Sequence, residues 1–469
     1  MKSIQKTTFA VLFGNRGFFP GSLQKSARKE IRTTLEKLGY EALMLDENTT
    51  RYGAVETPKD GRIFAEFLKQ HQGEFGGVIL CLPNFGDETG AVEALKNADV
   101  PILIQAYPDE LDKMAPSLRR DAFCGKLSIM DIFFQYGLKY TALKPHTVHP
   151  ENPAFSQNID YFDRVCRIVN GMKEMVVGAI GARTTAFKTV RIDELALQRC
   201  GITMETIDLS DVFQRMKKVD SKSADFKNKA KILESYTCWK EVPGNAFKKL
   251  VCLGVVFDQL VEEYQMDAIA VRCWLEMQQQ LGISPCVVLS EMNDRGVVAA
   301  CEVDVGSAVT MHALHLATGN VAACLDWNNN YGEEDNKCIL FHCGVAPQSM
   351  MTDHGLVTDH VILANAVGPN CSWGCNTGRI APTTFSFGSM MTDSGKLKCY
   401  LGEGRFTNDP IPEDFFGCAG VAEIENLQNV LQTVGFQGYR HHVSVSPGSI
   451  TAPLKEALEK YLGIDVITI

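Results

Sequence analysis

Two carboxylates stand in apolar surroundings where an ionised side chain is costly. Glu302 lies in Ala299-Ala300-Cys301-Glu302-Val303-Asp304-Val305-Gly306, and Asp326 follows Val321-Ala322-Ala323-Cys324-Leu325. Short apolar runs of this kind form buried strands. A carboxylate at the end of one must be paired, protonated or bound to a metal. Near the C-terminus, Arg440-His441-His442-Val443-Ser444-Val445 adds imidazole. Two carboxylates and a histidine with open positions suit a hard or borderline divalent ion. Neighbours on a strand point opposite ways, so one of His441 and His442 can enter a site while the other supports it. His342 ends the apolar run Ile339-Leu340-Phe341 and becomes a fourth candidate ligand beside these three. Asp304 shares the face of Glu302 if the strand continues, which makes it a supporting acid. Each residue alone has a plainer reading, as a strand-end acid satisfied by backbone N–H groups or as a core histidine. The dense polar stretch Asp326-Trp327-Asn328-Asn329-Asn330 favours a site.

The elements that must hold these groups are of two kinds. Apolar runs at 9–13, 41–45, 77–82 and 101–106 alternate with amphipathic stretches at 22–38, 61–71 and 90–98. That is the rhythm of an open parallel sheet, whose ligands bind beyond the carboxyl ends of its strands. A second such rhythm begins near Glu174, with strands expected at 175–181, 203–209 and 267–271 and helices at 224–235, 245–264 and 274–281. After residue 300, strand-like pieces at 337–342, 361–366, 383–388 and 396–401 are separated by turn formers, with helices expected at 423–434 and 451–462. The fold class is therefore α/β, with two Rossmann-like parallel-sheet domains (1–172 and 173–298) followed by a β-rich, barrel-like domain (299–469). A chain of 469 residues is too long for one ordinary core, which agrees with several domains.

Composition narrows the partners. With 46 basic and 56 acidic residues the net charge is -10, so no basic excess exists to neutralise nucleic-acid phosphates. No segment approaches the roughly 20 apolar residues of a membrane helix. Sixteen cysteines lie scattered in apolar segments, as expected of reduced thiols in a cytoplasmic protein. Cys371 and Cys375 have no second pair at matching spacing, so ordinary loop cysteines are expected there rather than zinc ligands. The loop Gly14-Asn15-Arg16-Gly17-Phe18-Phe19-Pro20-Gly21 follows the first strand without matching a dinucleotide fingerprint. Arg16, at that strand's carboxyl end, reads as a donor for a ligand oxygen or as a partner for a local carboxylate.

Taken together, these residues resemble the L-fucose isomerase and L-arabinose isomerase superfamily of metal-dependent aldose–ketose isomerases. The resemblance is clearest from residue 296 onward. It implies that Glu302 and Asp326 bind Mn²⁺, or another divalent metal, and act as base and acid. The ending His441-His442-Val443-Ser444-Val445 through Leu454-Lys455-Glu456-Ala457-Leu458 to Val466-Ile467-Thr468-Ile469 is similar to that of arabinose isomerases. By that likeness His442 is a ligand with His441 beside it, and His342 falls where a further histidine ligand stands. Arg16 is similar to an arginine presented to substrate across a subunit boundary, which implies a trimer or hexamer with shared sites. Asn328, His441 and Trp327 are the expected substrate contacts within the chain. The implied chemistry is proton transfer through a cis-enediolate whose charge the metal stabilises as a Lewis acid.

The residues after Asp326 and the Phe18-Phe19-Pro20 loop depart from the familiar pattern. A deoxy- or C6-modified sugar is therefore expected, with isomerisation of sulfoquinovose to sulfofructose as the specific alternative. Two other classes compete. A non-catalytic carbohydrate-binding protein would need none of the metal-binding acids. A nucleotide-dependent enzyme would need a phosphate loop.

Overall fold

The computed structural model describes residues 5–469. One compact unit runs to Asn170 and includes Lys460–Leu462. It holds strands β1 (Phe9–Phe13), β2 (Ala42–Met44), β3 (Gly77–Leu82) and β4 (Ile102–Ala106), all parallel, in the order β2-β1-β3-β4. Every residue of β1, β3 and β4 is buried. Unbroken apolar runs such as FAVLF are what a parallel sheet covered on both faces requires. Thr57 and Asp87 accept hydrogen bonds from Asp60 N and Gly90 N and so start the helices Pro58–Gln70 and Glu88–Leu95.

The other unit comprises Gly171–Glu459 and Gly463–Ile469. Its first sheet is parallel with the same winding: β5 (Val176–Ile180), β6 (Thr203–Ile207), β7 (Ala268–Val271) and β8 (Val298–Cys301), in the order β6-β5-β7-β8. The rest is built from β9 (Ala323–Asn330), β10 (Lys337–His342), β11 (Leu356–Asp359), β12 (Trp373–Arg379), β13 (Thr383–Asp393), β14 (Lys396–Phe406), β15 (Cys418–Glu423), β16 (His442–Pro447) and β17 (Asp465–Thr468). The order β15-β10-β9-β16-β13-β14 closes on itself through β14–β15 pairing, which makes a six-stranded antiparallel barrel. β12 and β17 extend it by parallel pairing. Leu325, Leu340, Phe385, Phe387, Tyr400 and Phe406 are among the residues that fill its core.

One segment expected to be strand-like is helical, and a second helix stands where no element was expected. Val361–Val367 reads as a β-branched apolar run. His360 nevertheless caps it by accepting from Leu363 N, and Gly368 ends it at a φ of 88°. Those end signals override the strand preference of valine and isoleucine. The second helix, Val305–Thr318, lies within the region expected to be β-rich and is buried on nearly every face. It packs on β7 and β8 and also on β13 and β16, which explains why it lacks an amphipathic pattern.

Candidate active site

The second sheet contributes through the loops beyond its carboxyl ends. Phe187 follows β5, Trp274 follows β7 and Glu302 follows β8. The barrel contributes Asp326 from β9, His342 from the end of β10 and His442 from the start of β16. Register brings the last three together, because Asp326 pairs with His442 on one side and with Phe341 on the other.

Glu302 does not continue a strand, contrary to the shared-face expectation for Asp304. Glu302 and Val303 have φ values of 65° and 57°. Such values are unusual for any residue with a side chain and more so for a β-branched one. Consecutive left-handed residues are retained where the surroundings over-determine them, often at a functional site. Here they turn the chain so that Glu302 enters the cavity while Asp304 caps the helix Val305–Thr318, accepting from Ser307 N at 3.0 Å.

Asp304 lies behind His442. Its Oδ2 is 2.7 Å from His442 Nδ1, and Arg440 donates to its Oδ1. Gly306 permits this approach, since a Cβ there would fall 2.5 Å from the Arg440 guanidinium. In the neutral ring the Asp304 carboxylate holds the proton on Nδ1, which leaves the Nε2 lone pair of His442 pointing forward, as a metal ligand requires. That Nε2 is 2.8 Å from Glu302 Oε2 and 3.4 Å from Asp326 Oδ1.

Among the described residues, none of these three forward atoms has an aligned hydrogen-bond partner, nor does His342 Nε2. Buried polar atoms are almost always satisfied, so four without an aligned hydrogen bond, gathered in two overlapping groups around His442, need an explanation. Glu302, His342 and His442 each bring a donor atom within 4.8 Å of the others, and so do Asp326, His441 and His442. This donor set fits a divalent cation: carboxylate oxygens, an imidazole lone pair, and a carboxylate–histidine support behind it.

Charge is arranged accordingly. Burial opposes ionisation of Glu302, but the His442 and His342 imidazoles outweigh it and hold its pKa down at about 2. For Asp304, burial is likewise overcome by Arg440 and His442, and the carboxyl stays below the usual range. Burial pulls the His442 pKa down, while Cys324, Asp304 and Glu302 push it up by more.

The cavity in front measures about 320 Å³, within the usual range for small-molecule sites. Trp274, Phe341, Ile362 and Leu363 form apolar walls, with Glu302, Asp326, His342 and His360 among the polar lining. Trp274 Nε1–H donates to Glu302 Oε1 at 3.1 Å and so orients the carboxylate.

The other residues singled out in the sequence fall as follows. His441 is half-exposed, 3.7 Å from Asp326, with its ring against His442 and Phe187. Asn328 is exposed at the register shift where β9 holds one residue more than β10. Trp327 does not face the cavity: its N–H donates to Tyr400 Oη at 3.1 Å and its ring meets Phe387 in the barrel core. As the next residue after Asp326 on a strand, it has to point the opposite way. Arg16 belongs to the first unit. Its Nε donates to Gly86 O at 2.8 Å, its guanidinium pairs with Glu88 and lies over the Phe85 ring.

Sequence reasoning missed Trp274, Phe187 and His360. Trp274 stands three residues beyond an apolar strand, a position that marks ligand contacts in parallel sheets. Nothing marked His360, because the helix it caps reads as a strand.

The family models and relatives that match the chain are those of aldose–ketose isomerases. A fucose/sulfoquinovose isomerase N-terminal domain model matches residues 10–173, and an L-fucose isomerase C-terminal domain model matches residues 340–469. The sulfoquinovose isomerase of Priestia megaterium is 23% identical over 310 residues, covering 66% of this chain and 68% of the relative. That of Alkalicoccus urumqiensis is 23% identical over 315 residues, with the same shares. That of Clostridium sp. strain MSTE9 is 24% identical over 304 residues, covering 64% and 66%. This chain belongs to the fucose isomerase-like superfamily.

Proposed function

We propose that the protein is a divalent-metal-dependent isomerase of a C6-modified or deoxy sugar, with Glu302, Asp326 and His442 holding the metal. The observation that carries this reading is the approach of Glu302 Oε2 to 2.8 Å and of Asp326 Oδ1 to 3.4 Å from His442 Nε2, with no aligned hydrogen bond at any of the three among the described residues. Mn²⁺ suits a carboxylate-rich set with open positions. When bound, the ion would supply Lewis-acid stabilisation of charge on the substrate oxygens.

The chain's own residues would do the rest. Glu302, fixed by Trp274 and ionised, takes the proton from the carbon beside the carbonyl and returns it to the neighbouring carbon. Asp326 handles the hydroxyl proton across the cavity. Trp274 and Phe341 keep water from the enediolate. Each correctly placed acid or base supplies about 10²–10⁴-fold.

Sulfoquinovose is the first candidate substrate, from the names of the relatives. A specific observation favours a second reading, a 6-deoxy sugar: Ile362 and Leu363 line the cavity, and among the described residues of the same chain no Lys or Arg lines it. Sulfoquinovose, L-fucose and D-arabinose should therefore be assayed after chelation and again after Mn²⁺ addition. The expected result is no turnover in chelator and restored turnover of one modified sugar with Mn²⁺. Full activity in the chelator would defeat the metal reading. Inactivity of the metal-loaded protein on every aldose would favour a carbohydrate-binding protein.

We also propose a cytoplasmic homo-oligomer, a trimer or hexamer, in which Arg16 serves the site of a neighbouring copy. All sixteen cysteines are free thiols, which suits a reducing compartment. On the helix Ala122–Gln135, Phe123, Leu127 and Phe134 are exposed while Gly125, Ile129 and Phe133 are buried. A second apolar stripe of that kind marks a covered surface. Mixing Arg16→Ala with Glu302→Gln protein, each inactive alone, should recover part of the activity once subunits exchange. Persistent inactivity after verified exchange would mean that no neighbouring copy supplies Arg16.

A further inference from the structure

We infer that His342 serves the reaction as a hydrogen-bond donor to substrate and not as a metal ligand. This rests on the isomerase reading above and concerns the division of labour within it.

The argument is one of tautomers, assigned from the hydrogen bonds each ring makes. A neutral imidazole has one N–H and one lone pair. His342 Nδ1 accepts the backbone N–H of Cys343 at 2.9 Å, and the Cys343 thiol lies 3.4 Å from the same nitrogen. An accepting Nδ1 carries the lone pair, so the proton of His342 is on Nε2. His442 has the opposite arrangement: its Nδ1 faces the Asp304 carboxylate at 2.7 Å, which leaves the lone pair on Nε2. The two rings lie 6.2 Å apart, centroid to centroid, and both are almost fully buried. His442 therefore presents a lone pair toward Glu302 and Asp326, and His342 presents an N–H to the cavity those two carboxylates line.

Binding a metal through His342 Nε2 would require moving the proton to Nδ1. That N–H would then have only the Cys343 sulfur, a weak acceptor at 3.4 Å, and the Cys343 N–H would lose its bond and meet another donor. A buried donor left without an acceptor costs about 1–3 kcal/mol. Behind His442 a carboxylate makes the ligand tautomer favourable, whereas the backbone behind His342 opposes it. Yet His342 Nε2 is buried and has no acceptor, on a residue that lines the cavity. The acceptor it lacks is supplied by the substrate oxygen on which negative charge develops when Glu302 takes the carbon-bound proton. His342 transfers no proton in this step; it donates a hydrogen bond to the enediolate oxygen.

Two variants separate the roles. In His342→Asn the amide oxygen can still accept from Cys343, but nothing donates near the Nε2 position. In His342→Gln the amide N–H₂ reaches that position. Mn²⁺ titration of the chelated protein by electron paramagnetic resonance should give wild-type affinity for both variants. With whichever sugar the aldose assay identifies, His342→Asn should lose about 10²–10³-fold in kcat, as for removal of one donor to a developing oxyanion. His342→Gln should retain at least part of what His342→Asn loses. A ligand role predicts instead that both variants lose more than the 10–100-fold in Mn²⁺ affinity that even an outer-shell partner costs. That result, or unchanged kcat in a folded His342→Asn, overturns the inference.

Histidine-selective ¹⁵N NMR of the metal-free wild type, read at a pH high enough to leave both rings neutral, gives a reading independent of turnover. The Nε2–H tautomer at His342 supports the assignment and the Nδ1–H tautomer refutes it. If the wild type binds no Mn²⁺ at all, the metal reading fails by itself. The donor role is then decided by the tautomer and the contrast between Asn and Gln.

Discussion

Glu302→Gln should abolish useful turnover while leaving the fold intact. Glutamine keeps the shape of the side chain and its contact with Trp274 Nε1, which is 3.1 Å from Oε1. It removes both the proton acceptor and the charge that His442 and His342 hold in the ionised form. Loss of a general base costs about 10²–10⁴-fold in kcat. Because Glu302 is also a proposed ligand, weaker Mn²⁺ binding should accompany the loss. Two measurements check this: kcat at saturating Mn²⁺, and deuterium incorporation at the carbons beside the carbonyl in D₂O. Wild type should incorporate deuterium, and Glu302→Gln should not. Residual exchange near the wild-type rate in the variant would move the base elsewhere.

Asp304→Asn should do damage of a different kind, because Asp304 touches no part of the cavity lining. Its carboxylate is fully buried and is shared by Arg440, His442 and the Ser307 N–H and hydroxyl. Removing the charge leaves Arg440 buried without its counter-ion, a change that costs about 3–5 kcal/mol. It also lets His442 Nδ1 lose its proton, so the ring no longer reliably presents its lone pair at Nε2. The expected result is a markedly lower melting temperature together with a 10–100-fold loss of Mn²⁺ affinity. Thermal melts and metal titration on the same preparation test both. A variant that melts like wild type and binds Mn²⁺ equally well would show that Asp304 neither supports His442 nor anchors Arg440. The two experiments differ in kind: Glu302→Gln should lose chemistry with little stability, and Asp304→Asn should lose stability and metal together.

The parallel sheets were legible in the sequence because their strands must be apolar throughout. The runs at 9–13, 77–82 and 268–271 are short, unbroken and bounded by turns, and no helix of ordinary amphipathic pattern competes for them. The residue types at Glu302, Asp326, His342 and His442 were legible for a related reason, since ionisable groups beside buried strands are rare enough to stand out. What the sequence could not contain was direction. Trp327 follows Asp326 and reads as an equal candidate, but strand alternation sends it into the barrel beside Phe387 and Tyr400. Glu302 and Asp304 read as neighbours on one strand face, but two left-handed residues separate them into cavity and support. The helices Val305–Thr318 and Val361–Val367 were hidden because burial on all sides, or a histidine cap, replaced the periodic signal.

The sequence alone determined the classes of element and the chemical groups available, since both follow from local pattern and residue type. Only the tertiary structure decided which nitrogen of each histidine is bare. That depends on what lies behind each ring, a carboxylate for His442 and a backbone N–H for His342. The carboxylate is far away in the chain and reaches its ring only through the closure of the barrel on the helix Val305–Thr318.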